Sequence, residues 1–209
     1  MNKQKLRKRW LSLMKQSGIQ TGVSDVYKDI VNHYSEQHRH YHNLVHIYDA
    51  LLEFDESKQL AQNPLAVELA IWFHDIIYDT KASNNEERSA DFTYETLDGL
   101  GFTKTVCELV SQMIVATKHD CKPSDSDTEL LIDIDLSILG QPPKRFTSYE
   151  REVRAEYVWV SDLDFKERRS VILNLFLARK KIYSTDLLHK KYERKARENI
   201  RWSIQRLTQ

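Results

Sequence analysis

The sequence is short of chain breakers: its 209 residues include only 5 glycines and 4 prolines. So few turn-formers argue against many short strands joined by tight turns and favour long helices. Cysteine is scarce as well. Cys107 and Cys121 form no CxxC pair, which excludes a disulfide scaffold and predicts free thiols in the reducing cytoplasm. Neither sign of charge dominates, because 31 Lys+Arg balance 31 Asp+Glu. That balance argues against a dedicated nucleic-acid binder. No apolar run is long enough to cross a bilayer, the longest being Leu69 to Phe73, so no membrane partner is expected. The basic start, MNKQKLRKRWLSLMKQ, has no continuous apolar stretch behind its charges and does not read as a secretory signal.

What the chain does contain is a globular balance of 41% apolar and 30% charged residues, enough to bury a core without disulfides. The length suggests a single domain, 1–209, existing as monomer or homodimer. Apolar spacing is helical almost throughout. Leu6, Trp10, Leu13 and Met14 share one face; so do Val23, Tyr27, Ile30 and Tyr34. A third helix is expected over about 42–56. Asn63 as N-cap and Pro64 in the first turn open a fourth, 64–77, whose LAVELAIWFHDII is apolar on nearly every side and so reads as central and buried. Ser83-x-x-Glu86 resembles a capping box for a helix reaching Leu97. Further helices are expected around Val106–Ile114, over 127–139 with a stop at Gly140 and Pro142-Pro143, and over about 148–161, 165–182 and 186–207. The fold class is therefore all-α.

The chemistry-bearing residues cluster. His33, His38, His40, His42 and His46, five of the eight histidines, fall within 14 residues. His42 and His46 are four apart and would project from one helix face. His74-Asp75 ends the most apolar helix, where a polar pair is costly unless it is bonded or holds a metal. Asp133 and Asp135 stand where leucine would be the bland choice. Imidazole and carboxylate together suit a divalent ion such as Mn, Co, Ni, Fe, Mg or Zn. Such an ion acidifies water and polarises a phosphoryl oxygen.

His46, His74-Asp75 and Asp135 in this order resemble the H…HD…D signature of HD-domain metal-dependent phosphohydrolases. YHNLVHIYD, residues 41–49, and DIDLS, residues 133–137, are similar to motifs of the cyclic-nucleotide phosphodiesterases, which share that helical core. Across about 39–185 the blocks RHYHNLVHI, IWFHDIIYD, NEERSA, ATKHD, DIDLSILG and RKKIYST resemble a bacterial group of predicted HD-superfamily hydrolases. The resemblance implies an HD-type helical bundle with its metal-site core over about 24–183 and the 186–207 helix packed on it. It implies His46, His74, Asp75 and Asp135 as metal ligands, Asp75 also being catalytic, and His42 as the acid that protonates a leaving oxygen. Tyr78 departs from it, standing where the phosphodiesterases carry a second-metal histidine. The expected reaction is hydrolysis of a phosphate ester of a nucleotide or similar small molecule; the alternative is a metal- or nucleotide-binding regulatory module with little turnover. Lys81, Arg88 and Lys118 are candidate phosphate contacts. His119, Asp79, Glu86 and Glu87 are candidates for a second metal or for holding metal-bound water, although capping of the following helix explains the glutamates equally well.

Overall fold

Helices make up the chain, and the described residues contain no strand. The computed structural model describes residues 3–119, 123 and 125–208; Cys121, expected as a free thiol, lies outside them. Ten α-helices follow in order: α1 Lys3–Gln16, α2 Val23–His33, α3 Leu44–Ser57, α4 Pro64–Phe73, α5 Asn85–Leu100, α6 Lys104–Ala116, α7 Ser126–Asp135, α8 Pro143–Glu156, α9 Asp162–Ala178 and α10 Asp186–Leu207. The chain divides into two compact units, Met1–Leu131 and Ile132–Gln209.

The first unit is built around α4. Asn63 caps it, its side chain accepting from the Ala66 amide, and Pro64 occupies the first turn, where a missing N–H costs nothing. Every residue from Ala66 to Phe73 is buried. Such a helix must be covered on all sides, and α3, α5 and α6 pack against it. Trp72 meets Trp10 of α1 edge to face at 5.6 Å, and the Trp10 indole N–H donates to the Val23 carbonyl at 2.9 Å, joining α1 to the start of α2. Arg9 extends from α1 to Glu68 and Asp55, both at 2.7 Å. The Asp127 carboxylate accepts the amides of Gln62 and Asn63, each at 2.7 Å, and so fixes the approach to α4. Cys107 is fully buried on α6.

Several boundaries differ from the expected ones, α8 and α9 each beginning and ending earlier than expected, at Pro143–Glu156 and Asp162–Ala178. Helix α4 stops at Phe73, so His74 and Asp75 stand in the turn that follows. Helix α5 begins at Asn85, and its N-cap is Asn84 with no side-chain cap bond; the Ser83-x-x-Glu86 box does not form. Helix α7 ends at Asp135 and tightens into a 3-10 turn, Leu136–Gly140. Pro143 opens α8 instead of marking only the stop before it.

In the second unit α10 packs against α8, α9 and the 3-10 turn. Asp133 is buried, and its carboxylate accepts from the Ser184 amide at 2.8 Å and from the Thr185 amide and hydroxyl at 2.7 Å. This carboxylate thus serves the start of α10, a structural task. Arg169 of α9 is buried too, donating to the Tyr149 hydroxyl at 2.8 Å and to Glu150 at 2.5 Å. The RKKIYST block forms the α9–α10 connection. Glu193 accepts its Ile182 and Tyr183 amides, and Arg197 donates to the Leu177 and Arg179 carbonyls.

Candidate metal centre

Helix α3 begins at Leu44 because the Asn43 side chain caps it, accepting from the Val45 amide at 2.8 Å. The same side chain donates to the His40 carbonyl at 2.7 Å and shapes the turn before the helix. His46 therefore lies in the first turn of α3, while His42 lies in the preceding turn and not on the helix. The expected shared helix face of His42 and His46 is replaced by a turn that sets their rings 6.0 Å apart at 71°. On the other side, the His74 amide closes α4 by bonding the Ala70 carbonyl, and the Ile76 amide bonds Phe73.

These two chain segments bring three donor atoms together. His46 Nε2 lies 2.9 Å from His74 Nε2. Asp75 Oδ2 lies 3.4 Å from the first and 3.1 Å from the second. Two ligands at right angles on an ion, each about 2.1 Å from it, are roughly 3 Å apart, so this triangle has the edges of one face of a coordination shell. His74 Nδ1 donates to the Ile71 carbonyl at 3.0 Å. That bond leaves Nε2 as the bare lone pair in the neutral ring, the form a metal requires. Both imidazoles are almost wholly buried. Burial alone would raise the Asp75 pKa, but the adjoining imidazoles of His74, His46 and His42 hold its carboxyl well below the usual range. Three electron-rich atoms on one point need a cation among them, either a proton or a metal ion. The residues present fit a divalent ion.

The frame around the triangle is Arg39, a residue the histidine pattern gave no reason to single out. It is 6% exposed. Its guanidinium donates to the backbone carbonyls of His42 at 3.1 Å, Asp75 at 2.6 Å and Ile76 at 2.8 Å, and to Glu36 at 2.8 Å. The rings of Tyr34 and Tyr78 lie on it at 5.1 and 5.4 Å. One cation thus fastens the turn before α3 to the turn after α4. Tyr78 also stacks on His42, centroids 4.3 Å apart, while Tyr41 meets His42 edge-on and leans against His46. His38 bonds the Tyr78 carbonyl at 2.8 Å. A buried arginine bonding main chain leaves no periodic trace, so only its place three residues before His42 hinted at it.

The other candidates fall in distinct places. Glu86, in the first turn of α5, is half-buried. Burial and the charge of Asp75 raise its pKa. Glu87 is paired with Lys118. Asp79 is exposed, accepts the Lys81 amide at 2.9 Å, and is bound through its backbone to Asn85. Arg88 and Lys81 are exposed. His119 follows α6 with a left-handed φ of 62°. Asp135 closes α7 and belongs to the second unit, where its charge raises the Tyr149 pKa after burial has done most of that work. No protein-family model, no curated protein and no solved structure matches the chain.

Proposed function

We propose that His46, His74 and Asp75 hold a divalent metal ion and that the protein is a metal-dependent phosphohydrolase acting on a nucleotide or similar small phosphate ester. The observation that carries the metal part is the triangle of Nε2, Nε2 and Oδ2 at 2.9, 3.1 and 3.4 Å. The phosphohydrolase part rests on the resemblance to HD-domain enzymes in the segments that supply this triangle. An ion bound there supplies positive charge for a phosphoryl oxygen and acidifies water.

The chain's own residues do the rest. His42 borders the triangle and gives its proton to the departing oxygen. Tyr41 and Tyr78 hold its ring by edge and face and keep water from one side. The Glu86 carboxyl, its pKa raised, accepts a hydrogen bond from the attacking water. Lys118, Arg88 and Lys81 remain the candidate phosphate contacts. The resemblance assigns a fourth ligand to Asp135, and the metal content of an Asp135→Ala variant measures that assignment separately.

The test is elemental analysis of the purified protein joined to a panel of phosphoesters with Mn, Co or Ni. Asp75→Ala should lose the metal, and wild-type metal content in that variant sinks the ligand assignment. His42→Ala should keep the metal and lose roughly 10²–10⁴-fold in turnover. Tight nucleotide binding with no product released would favour the regulatory-module reading.

A further inference from the structure

We infer that the outward face of α10 binds single-stranded nucleic acid, its cations on the phosphates and Trp202 against a base. The inference is independent of the metal centre. The zero net charge of the chain is the difference of two unlike halves: Met1–Leu131 carries 14 Lys+Arg against 20 Asp+Glu, and Ile132–Gln209 carries 17 against 11. The balance that argued against a nucleic-acid binder therefore does not hold within the second unit, and a separation of this kind points to a polyanionic partner for the basic half. Residues 179–206 hold ten cations and three anions. All three anions are already engaged: Asp186 with Lys181 at 3.8 Å, Glu193 with Arg197 at 2.7 Å and Glu198 with Arg194 at 2.7 Å. Lys180, Lys190, Lys195, Arg201 and Arg206 have no acidic partner among the described residues.

Helix α10 turns its apolar side inward, burying Leu188, Tyr192, Ala196 and Ile200. On the outward side Lys190, Arg194 and Arg201 recur at i, i+4 and i+11 and form one row along the helix. Lys195, Trp202 and Arg206 form an adjoining row at i, i+7 and i+11. Each row is about 16 Å long at the helical rise. Trp202 is 38% exposed, with the Arg206 guanidinium on its ring at 4.9 Å and Phe146 edge-on at 6.3 Å. An aromatic ring held among cations offers a single strand both things it needs, charge for the backbone and a flat surface for a base. A duplex keeps its bases stacked on one another and has no use for the ring. Lipid is disfavoured, because Leu187 and Trp202 are the only exposed large apolar residues described on α10, too few to enter a bilayer. A protein partner is disfavoured, because interface cores are depleted in lysine.

Fluorescence anisotropy of the full-length chain with a labelled oligouridylate of about 20 residues tests it. Wild type should bind with a Kd of about 10 μM or tighter at about 50 mM salt, and log affinity should fall with log salt at a slope of about −2 to −3. Lys190→Glu combined with Arg201→Glu should weaken binding at least about 30-fold and make the slope shallower by about 1.4, with circular dichroism and melting temperature unchanged. Trp202→Ala should cost roughly 5–100-fold, and Trp202→Phe should restore most of it. Lys104→Glu, a charge reversal of the same kind on α6, should leave binding as it is. No binding at about 50 mM salt overturns the inference. So does binding that the double substitution or Trp202→Ala leaves unchanged, equal affinity for a duplex of the same length or for polyglutamate, or flotation with phosphatidylserine vesicles in place of oligonucleotide binding.

Discussion

At the scale of single residues the site depends on Arg39 as much as on its candidate ligands. Arg39→Met would leave three carbonyls without this donor, that of Ile76 buried and those of His42 and Asp75 half-buried, and should cost about 3–5 kcal/mol, read by denaturant unfolding. Arg39→Lys, with one point charge in place of a planar fork, should recover only part of that loss. Glu86 gives a pH signature. Its folded carboxyl holds a proton more tightly than its unfolded one. The folded state therefore carries the extra proton in the window just above the ordinary glutamate range, and stability falls as pH rises through it. Glu86→Gln should flatten that decline in a stability–pH curve; an unchanged curve would mean that the folded carboxyl, for all its burial, binds its proton no more tightly than the unfolded one. The residues of the triangle were visible in the sequence because imidazoles and carboxylates are rare against an apolar background. Arg39 was not, since its partners are backbone carbonyls 36 and 37 residues away that no local pattern encodes.

At the scale of elements, every expected helix exists, and the errors sit at the ends. The 64–77 pattern stayed apolar past Phe73 because Ile76 is buried in a turn as completely as in a helix. Apolar spacing records burial, not hydrogen bonding, and so overran the helix. Asp133 stood out correctly as an acid in an apolar helix, but its partners are the amides that open α10, which lie 51 and 52 residues further on. Gly140, read only as a stop signal, has a second reason to be glycine: a Cβ there would come within 2.6 Å of the Tyr192 Cβ. Gly140→Ala should therefore force α10 off the 3-10 turn and cost about 1–3 kcal/mol in thermal or chemical melts. A neutral result would mean that α10 is free to shift.

At the scale of the whole molecule, a bound ion adds stability through mass action. At a concentration about a hundredfold above its dissociation constant it contributes about 2.7 kcal/mol. For a chain of this size that should raise the melting temperature by roughly 5–10 °C, and by nothing in Asp75→Ala. The effect should fade as the solution is acidified and protons compete for the imidazoles. Because Arg39 ties the turn before α3 to the turn after α4 by bonds that involve no metal, chelation of an ion bound as proposed should empty the site without unravelling it. Occupancy would then follow the supply of free cation around the protein, with loading and unloading freely reversible and no passage through a denatured chain. A centre of that kind can be switched off by starvation and back on within the time an ion takes to diffuse in.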